Sequence, residues 1–199
     1  MNSQITLPQP HTDGSISLEA AIAQRRSVRR YTSETPPLEA IGQLLWAAQG
    51  ITDHQKKLRA APSAGGRYPL VCYVCRADGV WKYHPESHTL TRHIGMDIRD
   101  KLVEAAWRQR FIAEAPCVFI ISAIGARTVE KYGERGLTRY VPMDAGHAAQ
   151  NLLLQATVLG LGGAPIGAFV DQATKEVLAL PEQEEPMYII PIGYPACAD

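Results

Sequence analysis

Arg25-Arg26-Ser27-Val28-Arg29-Arg30 places four guanidinium groups within six residues. Such groups repel one another unless they are solvated or matched to an anion. Two readings follow. The run is a solvated helix end, where cations suit the dipole, or it is a phosphate grip, with planar forks for the charge and the Ser27 hydroxyl for a remaining oxygen. Two other segments could complete a ligand site. Pro62-Ser63-Ala64-Gly65-Gly66-Arg67-Tyr68-Pro69 and Gly162-Gly163-Ala164-Pro165-Ile166-Gly167-Ala168-Phe169 are too rich in Gly and Pro for regular structure, and each could bring bare backbone N–H groups up to a ligand.

Other suggestive spacings carry less. Cys72-Tyr73-Val74-Cys75 resembles half a zinc knuckle or a redox dithiol. On a strand, however, residues three apart point to opposite faces, and no second pair is present. Two packed cysteines are expected, with all four cysteines, Cys72, Cys75, Cys117 and Cys197, reduced. His84 and His88 flank Pro85, which argues against a helix, and are expected as solvent-exposed loop residues with no metal. His147, early in the long helix, is expected in a helix-interior role or hydrogen-bonded to a neighbouring segment, in preference to catalysis. No G-x-G-x-x-G follows a strand, because Pro165 stands where its last glycine would fall, so a Rossmann site is not supported.

Stepping along the chain, Met1 to Gly14 is polar and Pro-containing and reads as a loose arm before one domain over 15–199. Ser17 caps a helix with Leu18 and Ile22 on one face, ending near Arg25. Pro36-Pro37 opens a second helix, with Leu38, Ile41, Leu44, Leu45 and Ala48 at helical spacing up to Gly50. Leu70 to Arg76 and Val80 to His84 form a hairpin about Asp78-Gly79, with a third short strand over Thr89 to His93. Asp97 to Arg108 is helical, Pro116 to Ala123 a buried strand, and Ala126 to Tyr140 a charged segment of weaker pattern. Asp144 to Leu159 repeats Ala145, Ala148 or Ala149, Leu152 and Ala156 along one face until Gly160 stops it. A short helix from Gln172 to Leu180 and an apolar strand from Met187 to Ile192 close the chain. Strands grouped in a hairpin among several helices point to an α+β fold.

The 199 residues are 46% hydrophobic and 20% charged, and 20 basic residues balance 20 acidic ones. No net field draws the chain to nucleic acid or to an anionic membrane. No apolar run approaches the roughly 18 residues of a membrane span, and the start has no signal core, so a cytoplasmic location is expected.

Taken in order and at their spacing, six stretches resemble the nitroreductase-like flavoprotein family, and within it the SagB-type dehydrogenases that include azoline oxidases of thiazole and oxazole peptide synthesis. They are Arg25 to Tyr31, Pro62 to Pro69, Asp144 to Asn151, Gly160-Leu161-Gly162, Pro165 to Phe169, and Ile190 to Pro195. The resemblance runs from about Ser17 to Pro195. It implies a nitroreductase-like fold, a mostly antiparallel central sheet flanked by helices, in an intertwined homodimer with FMN at the subunit interface.

By that resemblance Arg25 and Ser27, with Arg26 alongside, bind the FMN phosphate and ribityl chain, and Arg29 lies near flavin N1 and O2. Pro62, Ser63, Ala64 and Gly65 approach from the partner subunit. Pro165, Ile166, Gly167 and Ala168 cover the ring, with the Gly167 N–H near N5, and Gln109 is a further contact. The helix from Asp144 would lie in the dimer core, which its alanine-rich face suits. Many nitroreductases carry a basic pair beyond the final strand. Here Ala196-Cys197-Ala198-Asp199 has none, which places the phosphate charge on Arg25, Arg29 or Arg67. The implied reaction is ping-pong hydride transfer from NAD(P)H to a small organic oxidant, nitroaromatic- or quinone-like. The alternatives are azoline dehydrogenation of a modified peptide, or a flavin-binding subunit without turnover. Azoline oxidases use a Lys-Tyr pair. Lys131-Tyr132 is its counterpart here if the charged stretch is not simply a solvated helix, and Arg139-Tyr140 competes for the role.

Overall fold

The computed structural model describes residues 3–196. Helix α1 (Leu18–Gln24) begins where Ser17 accepts a hydrogen bond from the Ala20 N–H at 3.2 Å. It is followed by α2 (Leu38–Gln49), β2 (Ile51–Asp53) and β3 (Leu58–Arg59). Strands β4 (Leu70–Arg76), β5 (Gly79–His84) and β6 (Thr89–Ile94) form the expected meander. Then come α3 (Arg99–Ala105), α4 (Phe111–Glu114), β7 (Cys117–Ala123), α5 (Ala126–Tyr132), α6 (Val141–Val158), β8 (Gly162–Gly163), α7 (Asp171–Val177) and β9 (Glu185–Gly193).

The main sheet has the order β1-β6-β5-β4-β7-β9-β8, and each neighbouring pair is antiparallel. Its first member, β1 (Gln4–Thr6), corrects the expectation of a loose arm: Gln4 to Thr6 pair with Thr91 to Thr89. Burial explains the docking. Ile5 packs against the core and Leu7 lies within it, so this polar-looking segment covers an otherwise bare edge of β6.

Helices cover both faces. On one, α2 and α6 bury Leu44, Leu45, Ala48, Ala145, Ala148, Leu152 and Ala156 against Cys72, Val74, Phe119 and Ile121. On the other, residues around α3, α4 and α7 bury Leu102, Ile112 and Leu178 against Tyr73, Cys75, Val118 and Ile120. The alternation along β4 thus sends Cys72 and Cys75 to opposite layers, as a strand requires. Burial pushes the Cys72 and Cys117 thiols up to about 12 and Cys75 in the same direction. These three are free thiols, and Cys197 lies outside the described residues.

One further expectation changes, that for His84 and His88, and the settings of α6 and His147 become specific. The alanine-rich face of α6 packs inside its own chain, against α2 and the sheet, because small side chains there let the helices approach closely; the opposite face leaves Met143, His147 and Gln150 exposed. His147 is therefore a surface residue. His84 and His88 are half-buried, not solvent-exposed loop residues. His84 lies on β5, with Nε2 2.7 Å from the Thr91 hydroxyl. His88 Nε2 lies 2.9 Å from the Pro8 carbonyl and Nδ1 2.9 Å from the Tyr83 hydroxyl. Because a carbonyl only accepts, Nε2 carries the hydrogen and Nδ1 accepts from Tyr83.

Candidate functional site

The arginine loop is fixed at one end of the sheet by backbone pairing. Ser27 bridges Gly163 in parallel, and the Val28 N–H donates to the Gly163 carbonyl at 3.0 Å. Glycine is required there: a Cβ on Gly163 would fall 2.3 Å from Ile192 Cδ1 and 2.6 Å from the Pro191 carbonyl oxygen. The Tyr31 hydroxyl donates to the Val28 carbonyl at 2.6 Å and holds the far end of the loop. Burial raises the Tyr31 phenol above its usual range, which keeps that donor protonated.

On this scaffold the arginines divide. Arg26 turns its guanidinium back onto the end of α1, donating to the carbonyls of Ala23 at 2.9 Å and Arg25 at 2.8 Å. It acts as a helix-terminal residue, as the solvated-end reading held. Arg25 is half-buried, and Ser27 and Arg29 are exposed. Arg29 lies over the Phe111 ring, 5.7 Å from its centroid. Among the described residues neither Arg25 nor Arg29 forms an ion pair. Gln109 Nε2 donates to the carbonyls of Ala106 and Ala168, each at 3.0 Å, and so ties the connection between α3 and α4 to the Pro165–Ala168 loop. Ile166 exchanges both backbone hydrogen bonds with Ile189. A Cβ added to Gly167 would meet nothing within 4 Å, so the backbone there faces open space.

The second Gly-rich loop forms a separate group. Ser63 Oγ donates to Asp144 at 2.6 Å and the Ala64 N–H donates to the same carboxylate at 3.3 Å. Asp144 is only 3% exposed. Ser63 Oγ in turn accepts from the Tyr68 N–H at 2.9 Å, closing a turn in which Gly65 and Gly66 have φ of 61° and 64°. A Cβ on Gly65 would stand 2.5 Å from the Tyr132 hydroxyl and 2.8 Å from Lys131 Nζ. The Lys-Tyr pair therefore sits directly against this loop, which its position in the sequence did not reveal. Tyr132 packs edge-on against Tyr140, with centroids 4.9 Å apart, and the Tyr140 hydroxyl accepts from Arg135. Arg67 is turned away. It donates to the Arg127 carbonyl and pairs with Glu130, so its charge already has a carboxylate partner.

Sheet register separates the two groups. Gly163 pairs with Ile192, which pairs with Cys117; Leu70, next to the Pro62–Pro69 loop, pairs with Ala123. Six residue steps along β7 separate these levels, about 20 Å at strand rise. Asp144 and Phe111 were absent from the expected site. Asp144 could have been noticed as an acid within an otherwise apolar helical face, whereas Phe111 gave no local signal.

The nitroreductase family model matches residues 22–194. A Methanocaldococcus jannaschii protein that bears a nitroreductase name is 44% identical over 184 residues, covering 89% of this chain and 91% of its own. A Ralstonia eutropha crystal structure, also described as a nitroreductase, is 30% identical with a TM-score of 0.89, over 98% of this chain and 90% of that one. A chain of the Escherichia coli microcin synthetase complex shares the fold at 20% identity, with a TM-score of 0.73 over 98% of this chain and 79% of that one. By sequence and by the arrangement of sheet and helices, this chain belongs to the nitroreductase family.

Proposed function

We propose that the protein is an FMN-dependent oxidoreductase that carries reducing equivalents from NAD(P)H to a small organic oxidant, nitroaromatic- or quinone-like, by a ping-pong scheme, and works as a homodimer. One observation carries this reading: Arg25 and Arg29, without a carboxylate partner among the described residues, flank Ser27 and Val28, which pair by backbone with Gly163, four residues before an open backbone at Gly167. Two cations, a hydroxyl and an uncovered peptide edge fit a phosphorylated planar cofactor. When bound, FMN would supply a ring that accepts hydride at N5 and passes it on.

The chain's own contributions follow from placement. Arg25 and Ser27 hold the phosphate and its neighbouring oxygens. Arg29, kept in position over Phe111, offers fixed positive charge where reduction adds negative charge. Gly167, where even a Cβ would meet nothing within 4 Å, would offer its N–H to the ring. The Pro62–Pro69 loop leads into the sheet at Leu70, about 20 Å along β7 from the level of Gly163, and a second copy would bring its own Pro62–Gly65 loop to the site. The surface of α1 supports that partner. Leu18 and Ile22 are 62% and 56% exposed, an apolar stripe of the kind that marks an interface.

The direct test is spectroscopic. A yellow protein bleached anaerobically by NADH or NADPH is expected, whereas a colourless protein that FMN does not stabilise against heat would overturn the proposal. A second reading has one supporting observation, Lys131 and Tyr132 against Gly65. They would act as the Lys-Tyr pair of an azoline dehydrogenase in the SagB-type subgroup, acting on a modified peptide. A yellow protein inert to both nicotinamides would favour this reading or a flavin-binding subunit without turnover.

A further inference from the structure

Beside the end of the Pro62–Pro69 loop, the sheet opens on one side. Strand β4 pairs with β7 from Leu70 onward, but with β5 only over Tyr73–Arg76. Beyond Lys82 the hairpin strands part and leave a cavity of about 250 Å³, lined among others by Gln49, Arg59, Lys82, His84, Glu86 and Arg127. Three cations and one carboxylate thus line it, with the Lys82 ammonium 5.6 Å from the centroid of the Tyr73 ring. Glu86 pairs with Arg59 at 3.2 Å and is itself largely exposed. Burial first, and the nearby Lys82 ammonium second, hold the His84 imidazole below its usual range, so it adds a hydrogen-bonding group and no charge. Among the lining residues the surplus is two positive charges, while the buried Glu184 carboxylate nearby is already held by Tyr73 and Ser122.

Two of the cations are already positioned. The Arg59 side chain is 12% exposed, donates to Gln49 Oε1 at 3.0 Å and lies over the Tyr68 ring at 5.1 Å. Arg127 is held by the Tyr68 carbonyl at 3.1 Å. Fixed forks need little reordering to take a tetrahedral oxyanion. A single carboxylate would leave one positive charge unmatched; a phosphate dianion matches both. We propose that the opening between β4 and β5 is a binding site for a phosphate group, held by Arg59, Lys82 and Arg127. Because Arg59 and Arg127 both rest on Tyr68, the ligand would also brace the end of the Pro62–Pro69 loop.

The test is thermal unfolding of the purified protein in inorganic phosphate, against sodium chloride of equal ionic strength, with Lys82→Gln, Arg127→Gln and an Arg25→Ala/Arg29→Ala double variant. Phosphate should raise the midpoint of the wild type and still raise that of the arginine-loop variant, in which any phosphate binding at Arg25 and Arg29 is removed. In K82Q and R127Q the phosphate concentration required should rise about tenfold or more. Phenyl phosphate distinguishes the source: a matching shift assigns the site to a phosphorylated molecule, and a shift with inorganic phosphate alone assigns it to the free anion. The proposal fails if phosphate does no more than sodium chloride, if K82Q and R127Q respond as the wild type does, or if the response disappears in the arginine-loop variant.

Discussion

At the scale of residues, burial and hydrogen bonding decide which polar groups remain available. Arg25→Ala and Arg29→Ala should each weaken FMN retention, a lost charged hydrogen bond costing roughly 1.5 to 3 kcal/mol; equilibrium dialysis measures this. Arg26→Ala should change retention much less, since its guanidinium serves the end of α1. His88 supplies a pH dependence. Burial lowers its pKa in the fold, and burial likewise lowers that of His84. The unfolded chain therefore binds more protons just below about pH 6.5. Stability should be full above that value and fall as pH drops through the depressed folded values. Urea midpoints at several pH values, in wild type and His88→Gln, test this, the variant being expected to flatten the slope. The same burial should keep Cys72, Cys75 and Cys117 unmodified by thiol reagents in the native protein, as peptide mapping would show.

At the scale of elements, the two Gly-rich loops make different demands on their glycines. Gly65 has a positive φ and presses on Lys131 and Tyr132, so Gly65→Ala should displace that pair and destabilise the loop. Gly167 faces open space, so Gly167→Ala should leave the flavin-free unfolding midpoint unchanged while lowering flavin affinity. Loss of both properties would mean that Gly167 is needed for the fold itself. Asp144→Ala should loosen the Pro62–Pro69 loop, since it leaves the Ser63 and Ala64 donors without their acceptor, at about 1 to 3 kcal/mol. The second helix and the β4-β5-β6 meander were legible because their periods were clear and their turns carry Pro, Asp and Gly. The edge strand β1 was not. Its three residues acquire strand geometry only from pairing with β6, a contact more than 80 positions away in the chain.

At the scale of the whole molecule, the separation of the arginine loop from the Pro62–Pro69 loop makes a prediction about assembly. If each flavin site takes one loop from each subunit, an Arg25→Ala/Arg29→Ala chain and a Gly65→Ala chain should complement each other. A mixed dimer would hold one intact site and one doubly damaged site, so random exchange should restore roughly a quarter of wild-type occupancy. No recovery on mixing, with subunit exchange verified by mass, would rule out the shared site. Within the described residues no helix is long and apolar enough to cross a membrane.

The amino-acid sequence by itself determined the α+β class, the main helices, the central strands and the three irregular segments, because periodicity, Gly and Pro act locally. It also placed Arg25, Ser27 and Arg29 together, since they are neighbours in the chain. Only the tertiary structure decided that Arg26 and Arg67 already have intramolecular partners, that Lys131 and Tyr132 stand against Gly65, and that Asp144 anchors Ser63. Each of these depends on which distant surfaces are packed together. Burial and competition for hydrogen-bond partners, not residue type, then determine which charges remain for a ligand.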